Sequence, residues 1–565
     1  MLSRCAAIAA VTVVTFVACA APDAATRPIE QPLIPLDMSA SIAATPAETP
    51  AALPRVYMST SAPPAPDVGG KIIRVSTAKA FQAALASAAY GDVIELANAS
   101  TYVGNFTLPN KGANNGKWIT IRPATRTALP PEGARMTPKI AALAQLPLIL
   151  SANNYGAIST ALGAHHWRLI GLEVSVTPNN PGNTGLVRFG DGGGGGQVSA
   201  ATTANNLTVD RCYIHGLGGN PLTVPTVRRG VALNSAWSAV IDSYVSEIHE
   251  RITDAQAVTG WNGPGPFKIT NNYLEASGEN LGFGGADPDI PNLVPADIEI
   301  RHNHLSKQLS WKGVYLVKNL LESKSSMRVL VEGNLLENNW LDGQGGSAIN
   351  LKSTNQGGAC PGCSTQDWTI RLNLIRNTGA GIVLSANPDP HTVTHKLQRV
   401  TIVDNVFTNI DVAPFTGDGR GVLINQDPAD ITLAHNTIIS PTSAAVGFGG
   451  PQATPPVRLS IRDNIIGGGQ WGVKGPGLAA GTTTINTFMA PKSFVSNAIV
   501  LSTSKGYPAA NWYPLSVSAV GFTSPSTFGF KLLSTSPYRL QGTDNHDVGA
   551  NTEAMGRAII GVIVP

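Results

Sequence analysis

Charged side chains are scarce in this sequence, and they gather where they could do chemistry. Only 13% of its 565 residues are Asp, Glu, Lys or Arg. Between residues 228 and 352 they nevertheless collect, among them Arg229, Asp254, Glu279, Lys312, Lys318, Glu322, Lys324, Asp342 and Lys352. Two reactions suit such a mixture. Glycoside hydrolysis needs two carboxyl groups flanking the scissile bond. Asp254 and Glu279 qualify, with Asp342 as a further candidate. β-Elimination from a uronic-acid polymer needs a base for the proton beside the carboxylate and a cation for the enolate charge. The loop HERITDAQAVTGWNGPG adds Trp261 and Asn262, an aromatic surface and an amide of the kind that a sugar chain stacks on and bonds to. Arg229, Lys312 and Lys318 are cations that could hold an acidic chain. Charges on a long surface also serve solubility alone, so position has to decide.

Position is set by a repeat. WRLIGLEV, LTVDRCYI, AVIDSYV, FKITNNYL, IEIRHNHL, VLVEGNLL, WTIRLNLI, VTIVDNVF, ITLAHNTI and LSIRDNII share one form: an alternating strand, a polar or small break, one special position, then another strand. The special position falls at Leu172, Cys212, Ser243, Asn272, Asn303, Asn334, Asn373, Asn405, Asn436 and Asn464. Successive spacings are 40, 31, 29, 31, 31, 39, 32, 31 and 28, a period near thirty that signals a solenoid. Asn tolerates left-handed backbone angles, and its amide can bond to the amide one coil above. A second strand set (RGVALNS, GVYLVKN, SAINLKS, AGIVLSA, RGVLINQ) gives about three short strands per coil. No long amphipathic pattern interrupts them, which excludes helical repeats, and each repeat is too short for a four-stranded propeller blade. Stacked coils lie about 4.8 Å apart, so charges distant in sequence can become neighbours. The longer spacings hold insertions. GDGGGGGQ (190–197) lacks phosphate-cradle spacing and reads as a flexible insertion. STNQGGACPGCSTQD holds Cys360 and Cys363, which read as a local disulfide because no second Cys pair exists to complete a zinc site. Cys212 reads as a buried small residue.

The segment VSTAKAFQAALASAAYGDVIELANASTYVGNFTLP resembles the first coils of right-handed parallel β-helix proteins of the pectate-lyase-like superfamily, and FKLLSTSPYRLQGTDNHDVGA resembles their closing segment. The resemblance implies an all-β, right-handed parallel β-helix of about ten or more coils over residues 69–565. A short helix at 78–89 would cap the open core, and an irregular closing part would begin near 470. Alginate lyases and chondroitinase B carry a Lys about nine residues before a ladder Asn, an Arg on a following strand, and carboxylates that hold Ca2+. Here Lys324 precedes Asn334 by ten residues, and Lys352 stands where the Arg would be. The resemblance thus implies Lys324 and Lys352 as catalytic groups, with Glu322 and Glu279 as Ca2+ ligands. Lys in place of Arg loses the planar fork that grips a carboxylate, and the loop between the two lysines is longer than in those families.

Residues 1–20 read as a secretory signal, with Arg4 ahead of a short apolar run. Cleavage would follow Ala18-Cys19-Ala20, or Cys19 would be lipidated as in a bacterial lipoprotein. Residues 21–68 are Ala/Pro/Thr-rich and read as a tether. The expected location is extracellular, at the cell surface or in the periplasm, with membrane contact only through the lipid. A net charge of +3, without a basic run interleaved with aromatics, argues against nucleic acid. The expectation is a monomeric, exported protein acting on extracellular polysaccharide, first as a lyase of a uronic-acid glycan. The alternatives are a β-helical glycoside hydrolase using paired carboxylates and a non-catalytic glycan-binding adhesin.

Overall fold

The computed structural model describes residues 49–563 apart from 62–64, 115, 389–392, 441, 450–454, 490–492, 503–505 and 526–528. The signal reading and Cys19 lie outside the described residues. Within them the chain coils into a right-handed parallel β-helix whose strands form three parallel sheets of 14, 13 and 12 members. In each coil a strand of the first sheet turns into the second sheet, then into the third. Equivalent positions stack in unbroken register, as in Ile298↔Val329↔Trp368↔Val400↔Ile431↔Leu459 of the first sheet. One continuous apolar core fills the coil interior.

The turn from first to second sheet carries the amide ladder. Backbone N–H and side-chain amide of Asn303 both donate to Asn334 Oδ1 (2.9 and 3.1 Å), and Asn334 does the same to Asn373 (2.9 and 2.9 Å). The ladder runs past Asn464 to Asn497 and Asn511, two members that the repeat search does not find. The left-handed angle is not on the ladder residue itself. It falls one residue earlier, on Arg211, Asp242, Asn271, His302, Gly333, Leu372, Asp404, His435 and Asp463. This placement lets the ladder side chain point into the coil, where Asn272 through Asn464 are buried. Non-glycine residues in this region cost about 1–2 kcal/mol each, which the repeated amide bonds offset.

Both ends are closed. Thr77 Oγ1 caps the helix Ala78–Ser87, and Phe81 packs on Phe106 with ring centroids 4.5 Å apart. At the far end the helix Thr482–Phe488 stacks Phe488 on Phe448, again at 4.5 Å.

The outer faces of two sheets are covered by the chain itself. Residues 49–58, which composition places in the tether, lie along the first sheet. Thr49, Ala52 and Arg55 donate their backbone N–H groups to Asp430, Asp367 and Asp297 (3.0, 3.1 and 2.8 Å). Each step is three residues of chain and two coils of sheet. An extended proline-type strand rises about 9.3 Å over three residues, and two coils span about 9.6 Å, so the registers match. Each Asp also holds the Arg of the next coil by two bonds: Arg328, Arg399 and Arg458. The second sheet is covered by the closing segment, whose Phe522, Phe530, Leu532 and Met555 pack on Leu335, Leu374, Val406 and Ile465. His435 bonds Asp544 at 3.0 Å and the Asp547 carbonyl at 3.0 Å, while Asp463 accepts from Thr543 and Arg462. His435, Asp463 and Asp544 stand close enough to hold a metal, but with both imidazole nitrogens and Asp463 engaged they form an ion-paired clasp.

Replacing Asn334 by Ala leaves the buried Asn303 N–H without an acceptor. It is expected to cost about 2–4 kcal/mol, read as a lower midpoint in denaturant unfolding followed by circular dichroism. An unchanged midpoint would remove the ladder from the fold's stability.

Candidate functional site

The third sheet's outer face is where the charged side chains meet. Its strands Gln256–Gly260, Glu279–Phe283, Leu321–Ser323 and Ser347–Lys352 are neighbours in that order. Leu281, Leu321 and Ile349 share one register row and point into the core. The alternate row, Thr259–Gly282–Glu322–Asn350, therefore points outward. Gly282 leaves a hollow one side chain wide in that row, where a Cβ would make only ordinary contacts at 3.7 Å and beyond.

Three carboxylates and three ammonium groups interlock around the hollow. Lys318 Nζ lies 2.6 Å from Asp254 Oδ1 and 3.6 Å from Glu279 Oε1. Lys352 Nζ lies 2.9 Å from Glu322 Oε1, and Lys324 Nζ 3.7 Å from Glu322 Oε2. Amides fill in between. Gln256 donates to Glu279 Oε2 (2.9 Å), Asn350 donates to Gln344 (2.9 Å), and Lys324 donates to Gln356 (3.2 Å). Behind this face Lys307 is fully buried, its ammonium held by the carbonyls of Ala276, Ser277 and Gly278 and by Asn280 Oδ1 at 2.7–3.1 Å. It pins the turn that delivers Glu279.

The electrostatics follow from burial in this arrangement. Desolvation, then repulsion from Glu322 and Asp254, pushes Glu279 up to about 8 against the pull of Lys318 and Lys324. Burial opposes the charge on Glu322, but Lys324 and Lys352 overcome it and bring the group down to about 2. Burial likewise opposes the charges on Lys318 and Lys324. Glu279 and Asp254 hold Lys318 up to about 12, and Glu322 with Glu279 keeps Lys324 above its ordinary value. Lys307 is brought down to about 7 by desolvation.

Six of the residues expected to act, Lys324, Lys352, Asp254, Glu279, Glu322 and Lys318, are thus brought together. The others are not part of this cluster. Asn262 is buried, and its amide donates to the Asp191 and Gln197 carbonyls while accepting from Ile290. It pins loops rather than lining a groove. Trp261 donates to the Gly192 carbonyl (2.5 Å) and carries Arg229 over its ring at 4.9 Å. A Cβ at Gly192 would fall 2.2 Å from the Trp261 ring, so the glycine-rich insertion is packed down on Trp261 rather than loose. Arg229 is brought down to about 10 by burial and by Arg228 and Arg188, and neighbours the cluster through Asp254 and Glu279. Lys312 reaches away to the Pro414 carbonyl (2.6 Å), and Asp342 accepts from the Val317 N–H as a loop cap. Cys360 and Cys363 are joined, with Cα atoms 5.3 Å apart, and Cys212 is buried. Sequence reasoning missed Gln256, Asn350, Gln344, Gln356 and Lys307. Asn350 carried a signal, standing alone between the core residues Ile349 and Leu351.

The Ca2+ expected at Glu322 and Glu279 does not fit this donor set. Calcium takes six to eight oxygens. Both Glu322 oxygens and Asp254 Oδ1 already face lysine ammonium groups, and Glu279 Oε2 faces Gln256. The two buried oxygens without a hydrogen-bond donor, Glu279 Oε1 and Gln256 Oε1, fall well short. A dication here would stand among three lysines.

The fold and the cluster define a parallel β-helix with a charged face. No family model matches the chain, and no curated protein matches it. Solved structures share its architecture. A mannuronic acid specific polysaccharide family 6 lyase from human gut microbiota is 13% identical, with 87% of this chain and 99% of that one covered and a TM-score of 0.49. An alginate lyase from Paenibacillus sp. is 16% identical (69% and 98%, TM-score 0.33). PfbA, a surface adhesin of Streptococcus pneumoniae, is 11% identical (70% and 87%, TM-score 0.45).

Glu279 sets a pH dependence whose sign is fixed. Its folded value is raised, so between pH 4.5 and 8 the folded chain keeps a proton that the unfolded chain releases, and stability falls as pH rises. Glu322 works oppositely, losing its contribution as pH falls from 4.5 towards 2. Glu279→Gln is expected to be more stable than the parent at pH 9 by about 1–3 kcal/mol and near parity at pH 5. Unfolding midpoints across that range check it.

Proposed function

We propose that this chain is a polysaccharide lyase that cleaves a uronic-acid-containing glycan by β-elimination on the outer face of the third sheet. The observation that carries the reading is the layering of the charges. Glu279 and Glu322 side chains are only 3% and 5% exposed, whereas Lys318 and Lys352 are 16% and 15% exposed. Glu279 and Glu322 form a floor of counter-ions beneath the lysines, with Asp254 at the rim (30% exposed) beside Lys318, and ammonium groups over that floor suit an anionic polymer. A hydrolase would need its two carboxyl groups at the glycosidic oxygen. Here Asp254 and Glu279 are bridged to one ammonium, and Glu279 lies below the surface.

In this reading the uronate carboxylate lies against Lys352 and Lys318, which lower the cost of the enolate charge. The ring would lie over Gly282, which puts no side chain in its way. Lys324, beside Gly285, takes the proton next to the carboxylate; the C=C bond forms as the glycosidic C–O bond breaks, and the leaving oxygen takes a proton back from that ammonium or from water. Lys324 must first be neutral, and its neighbours hold it protonated above the usual lysine range. The rate is therefore expected to climb with pH through the alkaline range. The apolar run before Ala20 supports export to where such polymers occur.

The test is incubation with a panel of uronate polymers, following the ultraviolet absorbance of an unsaturated uronate. Lys324→Ala is expected to lower kcat/KM by about 10²–10⁴ with folding intact, and Lys352→Arg to retain activity. Chain cleavage without that absorbance would sink the lyase reading and make Asp254 and Glu279 the leading pair. Binding without cleavage would favour an adhesin.

A further inference from the structure

Of the three lysines that stand where Ca2+ was expected, one bridges two acids. We propose that Lys318 is the resident cation of this site: held between Asp254 and Glu279, its ammonium supplies the positive charge expected of a divalent ion, so the site receives an acidic glycan without a metal. The inference rests on the lyase reading for the substrate and on geometry alone for the cation.

The position is built. The residue before Lys318 donates its N–H to Asp342 Oδ2 (2.7 Å), and the residue after it, Asn319, bonds Gln344 (2.7 Å) and accepts from Ser347 (2.6 Å). The carbonyl of Lys318 itself accepts from the buried Asn339 amide (2.7 Å). With the backbone fixed on both sides, the four-carbon stem delivers Nζ to 2.6 Å from Asp254 Oδ1 and 3.6 Å from Glu279 Oε1. Glu279 Oε1 has no hydrogen-bond donor, so Lys318 is the charge it answers to. Three acids stand against three lysines, and because Glu279 keeps its proton below about pH 8 the lysines are already in excess. Adding a dication would deepen that excess of positive charge in a largely buried cluster, which is costly at low dielectric. Lys318 is held by Asp254 and Glu279, and in the lyase reading its ammonium faces the substrate carboxylate as a binding cation.

The full chain is stripped with chelator and titrated with Ca2+ by calorimetry, and with Tb3+ by luminescence. The wild type is expected to show no stoichiometric binding at the cluster and the same unfolding midpoint in chelator as in Ca2+. Lys318→Asp, which adds a fourth carboxylate and removes the ammonium, is expected to bind one Ca2+ at least tenfold more tightly than the wild type. Lys318→Met, the milder change, is expected to gain affinity in the same direction, and Lys318→Arg to behave as wild type. Stoichiometric wild-type Ca2+ binding that Glu279→Gln abolishes would overturn the proposal. So would folded Lys318→Asp and Lys318→Met chains with no gain over wild type. A wild type that cleaves a uronate polymer only when Ca2+ is added removes the resident cation and leaves the lyase reading. A wild type that cleaves no polymer yet binds no metal does the reverse.

Discussion

Everything in this molecule hangs on how one coil is made to stack on the next at the turn between the first and second sheets. A buried amide accepts both N–H groups of the amide one coil earlier and passes the arrangement on, from Asn272 to Asn497. That bond pair fixes the rise between coils, and the left-handed residue before it fixes the direction in which the chain leaves. Because the rise is fixed, Glu279, Glu322 and Asn350 stand on successive coils though they are separated by 43 and 28 residues. A slip of one residue in any coil would exchange the core row for the outward row and scatter the site.

The cost of assembling the site is set against the same rigidity. Burying three carboxylates and three ammonium groups is unfavourable unless each is paired. The pairing here is mutual: Lys318 serves two acids and Glu322 serves two lysines. One consequence is that neither Glu279 nor Glu322 titrates independently of its lysines, and their shifts run in opposite directions. A second is that, in the lyase proposed, a substrate carboxylate arriving at the lysines would compete with acids already there, which a rigid lattice of coils holds at fixed distance.

Much of this was legible in the sequence. The ladder from Asn272 to Asn464 shows because one residue type recurs at one register. Asn497 and Asn511 escape because the helix Thr482–Phe488 and irregular chain break the period around them. The left-handed residue was placed one position late, since Gly, Arg, Asp, His and Leu all fill the true position and no residue type marks it. The charged cluster could be gathered from stacking alone. Its pairing could not, because a lysine at Lys318 reads the same whether it faces solvent or two acids. Asn262 misled for a related reason. An Asn beside Trp and Gly looks like surface, yet its amide is the one group able to join two long loops at once.

The distribution of cover over the solenoid shows why the site is on the third sheet. An exposed outer face of a long parallel sheet must be either polar or covered. The second sheet presents Leu335, Leu374, Val406 and Ile465, which demand the closing segment laid over them. The first presents Asp and Arg in alternate coils, and these recruit residues 49–58 through backbone N–H groups in matching register. The third presents Thr259, Gly282, Glu322 and Asn350, a row too polar to require burial and interrupted by a residue without a side chain. Loops reinforce rather than cover it. The glycine-rich insertion folds onto Trp261, Gly194 bonds Asp289, Ala359 bonds Asp287, and the disulfide closes the last loop. That face is flanked by cross-linked loops and broken by a gap at Gly282, and on it the proposed lyase would receive its polymer. Its placement follows from what the other two faces are already required to do.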